Sequence, residues 1–158
     1  MRNNIAADDP AITELLQRLY AVISFEEGGD PDFEGLEQVF SHHARITRVT
    51  PEATDYLEPQ SFLQMTRNLI ELGAYTSFHE LEVARRVQRF GRVAQVWSVY
   101  ETRCNRLART PLGRGVNSIQ LIHESGGWRV LGLSWDETHT EQCLPIEQLA
   151  EGESHGQG

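Results

Sequence analysis

The sequence contains no lysine, and all 14 of its basic residues are arginine. The absence of lysine excludes a catalytic amine of the kind that forms a Schiff base with a carbonyl substrate. Only two cysteines occur, Cys104 and Cys143. The 38 residues between them match neither a metal-ligand spacing nor a disulfide framework. We therefore expect reduced thiols and a cytoplasmic protein.

Long apolar runs are also absent. No run approaches the roughly 18 residues that a membrane-spanning helix requires, so we expect no membrane partner. The first ten residues, "MRNNIAADDP", lack the apolar core of a signal peptide. The net charge is -9 and the arginines form no basic stripe. Because an acidic surface repels phosphate backbones, we expect no nucleic-acid partner.

The length of 158 residues, with 39% apolar residues, suits one globular domain. We place a flexible N-terminus at residues 1–8, the domain at 9–140 and a C-terminal extension at 141–158. The polar, glycine-rich end "EGESHGQG" predicts disorder at the end of that extension.

Three segments of the N-terminal half predict helices. Asp9 and Pro10 mark the start of the first, in which apolar residues recur at helical spacing up to Ile23. "FEGLEQVFSHHA" predicts a shorter second helix, and "PQSFLQMTRNLIELG" predicts a third. The intervening "ARITRV" predicts a short strand, and the connection after it has room for a second one.

From about residue 78 the apolar period changes from 3.6 to 2. Four strands are predicted, over 78–90, 92–103, 114–125 and 127–137. The links "FG" and "SGG" are short, so neighbouring strands should be antiparallel. The fold class is therefore α+β: a strongly curved, cone-shaped antiparallel sheet packed on three N-terminal helices.

The hairpin turns set which side chains share a face of the sheet. We assume two-residue turns in the two short hairpins and centre the long hairpin in its loop. With this register, the inner face has small aliphatic residues in its middle and polar groups at one end. Polar groups at the end of an apolar cone predict a pocket for a small apolar ligand. Together with Tyr20 from the first helix, the pocket residues are predicted to be His79, Val83, Val96, Ser98, Tyr100, Asn117, Ile119, Ser134 and Asp136.

The opposite face is too apolar to be freely solvated. We expect a second copy of the chain to cover it in a homodimer, with a helix or the C-terminal segment as the alternative cover. The residues of this predicted dimer interface are Trp97, Val99, Gln120, Leu131, Leu133 and Trp135.

Three helices followed by a long-stranded meander that ends "GGWRVLGLSWDE" resemble the nuclear transport factor 2-like superfamily. The stretch from "RFGRVAQVWSVYETR" onward is similar to bacterial members of its SnoaL-like branch. The resemblance covers about residues 9 to 140. It implies a cone-shaped, cystatin-like α+β fold, and superfamily members often dimerise through the outer sheet face.

The same resemblance implies several functions, because such a fold hosts many activities. The superfamily includes ketosteroid isomerase, scytalone dehydratase, limonene-epoxide hydrolase, polyketide cyclases and non-catalytic binding domains. We expect a small-molecule-binding protein without a cofactor; the sequence does not specify the ligand. The alternatives are a cofactor-independent isomerase, dehydratase or cyclase, and a protein-interaction adaptor.

If the protein is an enzyme, Asp136 and Tyr100 are the first candidates. A carboxylate in an apolar pocket shuttles protons, and a nearby phenol donates to a developing oxyanion. His79 is a further candidate base. The alternatives are a satisfied polar pair at the mouth of the cone, an exposed Asp136 at a strand end and a histidine at the sheet edge.

Two other polar clusters have structural interpretations. The adjacent His42 and His43 point to opposite sides of a strand, so we expect no metal site. Glu101, Arg103 and Arg114 should meet across the long hairpin and face away from the pocket, as an ion-pair network.

Overall fold

A computed structural model of the protein describes residues 9–26, 28–73, 77–103 and 113–136. The predicted termini, 1–8 and 141–158, and both cysteines lie outside these residues. The elements in chain order are α1 (Pro10–Ile23), α2 (Phe33–Val39), β1 (Phe40–Val49), β2 (Thr54–Leu57), α3 (Pro59–Glu71), β3 (His79–Phe90), β4 (Val93–Arg103), β5 (Gly113–Glu124) and β6 (Gly127–Asp136).

The first helix begins where the sequence predicts it. The carboxylate of Asp9 accepts a hydrogen bond from the Ala11 amide at 3.0 Å, and Pro10 occupies the first turn. The apolar stripe of the helix is buried against the sheet. Its buried residues are Ile12, Leu15, Leu16, Leu19, Tyr20, Val22 and Ile23.

The second helix is shorter than the sequence predicts. It ends at Val39, and β1 begins at Phe40 instead of near residue 44. The reason is tertiary: Phe40 pairs with Val130 of β6, so the chain exchanges helical hydrogen bonds for sheet pairing. The buried rings and methyl groups of this junction then join the main core.

The six strands form one curved, unclosed sheet in the order β2-β1-β6-β5-β4-β3. All neighbours are antiparallel except β1 and β6, which are parallel. The helices cover the inner face, and the core lies between the two layers. This confirms the predicted α+β architecture.

Two irregularities decide which side chains face inward. Near its turn, the β3–β4 hairpin pairs Val87 with Val96, but the register shifts between Glu82 and Ala84. The β5–β6 hairpin pairs Leu121 with Val130, and its register shifts between Gln120 and Leu121, opposite Leu131. Each shift inserts one extra residue into a strand, so the residues beyond it exchange faces.

Candidate functional site

A cavity of about 280 Å³ lies at the open end of the sheet, between its inner face and the helices. Its walls are mainly apolar and aromatic. The main apolar contributors are Phe40, Ile46, Phe62, Leu133 and Trp135. The polar groups that reach it are Arg48, Glu80, Tyr100, Thr102 and Asn117.

Several predicted pocket residues lie on the predicted face. Tyr100 and Asn117 line the cavity. Ser98 pairs with Asn117 on the inner face and is fully buried. Val96 and Ile119 are also fully buried, but they belong to the core and do not line the cavity. They support its floor instead of contacting a ligand.

Tyr100 owes its position to a glycine on the next strand. Gly115 is its partner across β4 and β5. A Cβ atom built at Gly115 would lie 2.6 Å from Cζ of the Tyr100 ring, which is closer than real side chains approach. The missing side chain therefore leaves the space that the phenol occupies.

Besides Tyr20, Val96, Ser98 and Ile119, four further predicted pocket residues do not line the cavity. Beyond the β6 bulge, Ser134 and Asp136 fall on the outer face, and Asp136 is exposed. Beyond the β3 bulge, His79 pairs with Arg103. The next pair on the same face, Leu81 and Glu101, points outward, so His79 lies on the outer face, although its side chain is buried. Val83 is the bulged residue itself and is 46% exposed.

The same bulge corrects the predicted dimer interface. Leu133 and Trp135 point inward: Leu133 is in the core, and Trp135 packs edge-to-face on Phe62 at a centroid distance of 5.9 Å. Two of the other predicted interface residues, Val99 and Leu131, are buried and half-buried. Trp97 and Gln120 remain exposed on the outer face.

The bulge in β3 brings two acidic residues inward that sequence reasoning missed, Glu80 and Glu82. They pair with Thr102 and Tyr100 of β4. Their signal in the sequence is the alternation in "HELEV", which puts two carboxylates on one face of a strand. Without the bulge, that alternation predicts the outer face for both residues.

A chain of hydrogen bonds joins Glu82 to the polar end of the cavity. The Tyr20 and Ser98 hydroxyls lie 2.6 Å apart, and Ser98 donates to the Glu82 carboxylate. Asn117 donates from Nδ2 to the Tyr20 hydroxyl at 3.2 Å and to Oε1 of Glu80 at 3.5 Å. One network thus contains both inward carboxyl groups.

The two carboxyl groups differ in their partners. Glu82 accepts a hydrogen bond from Arg85 at 2.9 Å, and Arg85 also donates to the hydroxyl of Thr13 at 2.7 Å. Burial raises the pKa of Glu82, while Ser98 and Arg85 act in the opposite direction. The guanidinium beside it therefore favours the ionised form of this carboxyl.

Among the described residues, no cation donates a hydrogen bond directly to Glu80; its side-chain donor is Asn117. Burial raises its pKa from 4.5 to about 7, and the bond from Asn117 lowers it only in part. At neutral pH this carboxyl group exists in both protonation states. Burial likewise raises the pKa of the Tyr20 phenol, so Tyr20 stays protonated and remains a hydrogen-bond donor.

Arg48 reaches the cavity from β1, where it binds Asp55 of β2 at 2.8 Å through a partly exposed ion pair. No group of three or more metal-ligand side chains occurs within the described residues. His42 and His43 are both exposed.

The predicted ion-pair network of the long hairpin is present. Glu101 binds Arg103 and Arg114, each at 2.8 Å. Arg114 and then Arg103 hold the pKa of the Glu101 carboxyl below its usual value. Because the cluster lies on the outer face, it contributes to the hairpin and not to the cavity.

No protein-family model and no curated protein matches the sequence. Solved structures do match the fold. A protein of unknown function with a cystatin-like fold from Nostoc punctiforme is 15% identical at a TM-score of 0.62, with 89% of this chain and 96% of that chain covered. A nuclear transport factor 2-like protein with a cystatin-like fold from Novosphingobium aromaticivorans is 17% identical at a TM-score of 0.61, with 82% of this chain and 80% of that chain covered.

A third structure, a nuclear transport factor 2-like protein of unknown function from Shewanella baltica, is 17% identical at a TM-score of 0.58, covering 84% of this chain and 94% of that chain. At such identities the likeness defines the fold alone. The chain has the nuclear transport factor 2-like, cystatin-like α+β fold, as its sequence predicts. None of the helices in the described ranges has the length and apolarity to span a membrane.

Proposed function

We propose that this protein binds a small, mainly apolar molecule in the cavity at the open end of the sheet. The observation that carries the proposal is an apolar, aromatic-walled cavity with Glu80 and Asn117 at its polar end. Small-molecule sites combine apolar walls with a few placed polar groups, and their volumes start at roughly 300 Å³. The cavity of about 280 Å³ suits a compact ligand.

The indole signals of the protein provide a direct test. Trp135 lines the cavity, whereas Trp97 lies on the outer face. Titration with 2-acetylnaphthalene, a compact apolar ketone, should shift the NMR signal of the Trp135 indole N–H and leave that of Trp97 in place. A shift of Trp97 without a shift of Trp135 would place binding outside the cavity and contradict the proposal.

A pair of variants, one in the last turn of α3 and one at its C-cap, tests the same point by affinity. Leu69 lines the cavity and is 36% exposed, so Leu69→Trp should fill part of the volume without disturbing the core. Leu72 is 82% exposed and does not line the cavity, which makes Leu72→Trp a matched control. We expect weaker binding of 2-acetylnaphthalene to the first variant only.

The second candidate is a cofactor-independent isomerase, dehydratase or cyclase that uses Glu80 as its acid–base group. The specific observation is a carboxyl group with a pKa of about 7 in an apolar cavity that Tyr100 also lines. A general acid or base is most effective with a pKa near the working pH. Glu80 takes the role that the sequence suggested for Asp136 and His79.

Hydrogen exchange at the methyl group of 2-acetylnaphthalene tests this candidate. The ionised Glu80 would accept a proton from the carbon next to the carbonyl and return a deuteron after exchange with D₂O. We expect the wild type to accelerate this exchange and Glu80→Gln to abolish the acceleration. Equal exchange rates in both, with the probe bound, would leave binding as the function.

We also propose that two copies of the chain associate through the outer sheet face. The support is two exposed apolar side chains on the outer face of β4: Val93 and Trp97, exposed by 47% and 40%. The inward position of Leu133 and Trp135 makes this surface smaller than the sequence suggests. A protein-interaction adaptor, the other alternative, would use the same outer face of the sheet. A cytoplasmic location remains a prediction.

A further inference from the structure

The lining of the cavity is apolar but only partly covered. Met65, Phe78 and Trp135 line the cavity and are half-buried, and Leu69, which also lines it, is 36% exposed. Phe40, from the same lining, is buried. We call the four partly exposed residues the cavity mouth. Exposed apolar surface beside a cavity marks a place where another group packs.

The chain leaves the described structure beside the cavity mouth. Trp135 belongs to the mouth, and the next residue, Asp136, is the last that the structure describes. Asp136 pairs with Val49 of β1, whose neighbour Arg48 also lines the cavity. The sequence continues from there, so residues 137–158 start at the rim of the cavity.

The apolar residues of this continuation are concentrated in one short stretch. Every aliphatic side chain of 137–158 falls within "CLPIEQLA", residues 143–150. Ile146, Leu149 and Ala150 recur at the spacing that puts side chains on one face of a helix, and proline before them suits a first helical turn. Because an isolated helix of this length is not stable in water, such a face needs an apolar surface on which to pack.

The length and the charge of the continuation both fit the cavity mouth. Residues 137–142 span at most about 20 Å when extended, which exceeds the roughly 10–12 Å diameter of a helix such as α3. Residues 137–158 contain five glutamates and no basic residue except histidine. Arginines stand at the same end of the sheet: Arg48 lines the cavity, Arg103 ends β4 and Arg114 begins β5. Opposite charges therefore favour an approach to this end.

We propose that residues 143–150 of this chain dock across the cavity mouth as a lid, with Ile146, Leu149 and Ala150 on its exposed apolar side chains. The short connection to β6 gives the lid an effective concentration on the order of millimolar, so a modest apolar contact is enough to hold it. Docking needs no ligand, whereas the effect of the lid on ligand exchange rests on the proposed binding function.

The outer face of the sheet is the competing surface for the same segment. It presents Val93 and Trp97, but Gln95 lies between them on β4 and is paired with Gln120 of β5. Both glutamines are exposed, so the apolar surface there is interrupted by polar groups. The continuous apolar lining of the mouth is the better match for an apolar helix face.

Paramagnetic relaxation tests docking without a ligand. Cys104→Ser leaves Cys143, at the start of the lid, as the one thiol for a nitroxide label. Met65 of the cavity mouth is one of only two methionines, so its ¹³C-labelled methyl signal is readily assigned. We expect the label to broaden this signal far more than the indole N–H signal of Trp97. Stronger broadening of Trp97 would place the segment on the outer face and overturn the proposal.

Two variants separate docking from the mere proximity of a tethered label. Leu149→Glu and Gln148→Glu each add one carboxylate, but only the first places it on the apolar face. The broadening of Met65 should fall severalfold in Leu149→Glu and remain in Gln148→Glu. The signal of the buried Trp128 indole should keep its position in both, which verifies the fold. Equal broadening of Met65 in the two variants would refute docking.

A mixed sample establishes which copy supplies the lid. Spin-labelled protein without ¹³C is mixed with ¹³C-methionine protein that carries no label. The Met65 signal should stay sharp in this mixture, because the proposed lid belongs to the same chain. Broadening in the mixture would mean that the segment of another copy occupies the mouth, contrary to the proposal.

Ligand exchange tests what the lid does. Dissociation of 2-acetylnaphthalene should be about tenfold faster from Leu149→Glu than from the wild type or Gln148→Glu, since burial of one leucine side chain is worth roughly that factor or more. If Met65 responds as expected but Leu149→Glu binds the probe more tightly, the segment fills the cavity and does not act as a lid. If the probe binds to none of the three proteins while Met65 responds as expected, the binding function is wrong and docking stands.

Discussion

Replacing Glu80 by glutamine should stabilise the protein at alkaline pH and have little effect at acidic pH. The pKa of Glu80 is about 7 in the folded protein, against an ordinary value of 4.5. Between these values the unfolded chain releases its proton while the folded chain retains it. The free energy of unfolding therefore decreases as the pH rises from about 4.5 to 7 and stays low above that range.

The size of the effect follows from the two pKa values. The full difference corresponds to about 3 kcal/mol, at roughly 1.4 kcal/mol for each pH unit. About a quarter of it is already lost at pH 5, so the change from pH 5 to pH 8 is about 2 kcal/mol. Since domains are stable by only about 5–15 kcal/mol, this fraction is easily measured.

Urea denaturation of the wild type and of Glu80→Gln at pH 5 and at pH 8 gives the gain in stability from the substitution at each pH. The change in this gain between the two pH values is the predicted quantity. Titration of all other groups cancels, including that of Glu82, whose pKa is also raised. Glu71→Gln serves as the control for the loss of an exposed glutamate. If the gain in stability from Glu80→Gln is the same at both pH values, Glu80 does not titrate as its environment implies.

Two further predictions concern the wall of the cavity and the outer face. Gly115→Ala should displace the Tyr100 ring and destabilise the protein by roughly 1–3 kcal/mol, because the new Cβ overlaps the phenol. Urea denaturation measures the cost of Gly115→Ala in the Tyr100→Phe background, which keeps the ring, and in the Tyr100→Ala background, which removes it. An equal cost in the background without the ring would refute this explanation. Trp97→Glu should convert the proposed dimer to a monomer, as measured by sedimentation velocity, whereas Leu72→Glu, at an exposed helix end, should leave the dimer intact. A wild-type protein that sediments as a monomer would contradict the proposed association.

Local chemistry made much of the fold predictable. The cap at Asp9, the proline that follows it and the helical spacing of apolar residues define α1 from sequence alone. Strict alternation and short turns define the antiparallel order of β3 to β6. Tyr100 and Asn117 lie on the predicted face of the sheet because the predicted register of β4 and β5 differs from the observed one by an even number of residues.

The rest depended on two bulges. A bulge forms where a long strand bends over the helices, and its position is set by packing against elements distant in sequence. Because side chains alternate with a period of two, one inserted residue turned Asp136 and His79 away from the cavity and brought Glu80, Leu133 and Trp135 into it. The sequence by itself determined the three helices, apart from the end of α2, and the antiparallel order of β3 to β6. Only the tertiary structure decided which acid faces the cavity, since that depends on where the curvature of the sheet places its extra residues.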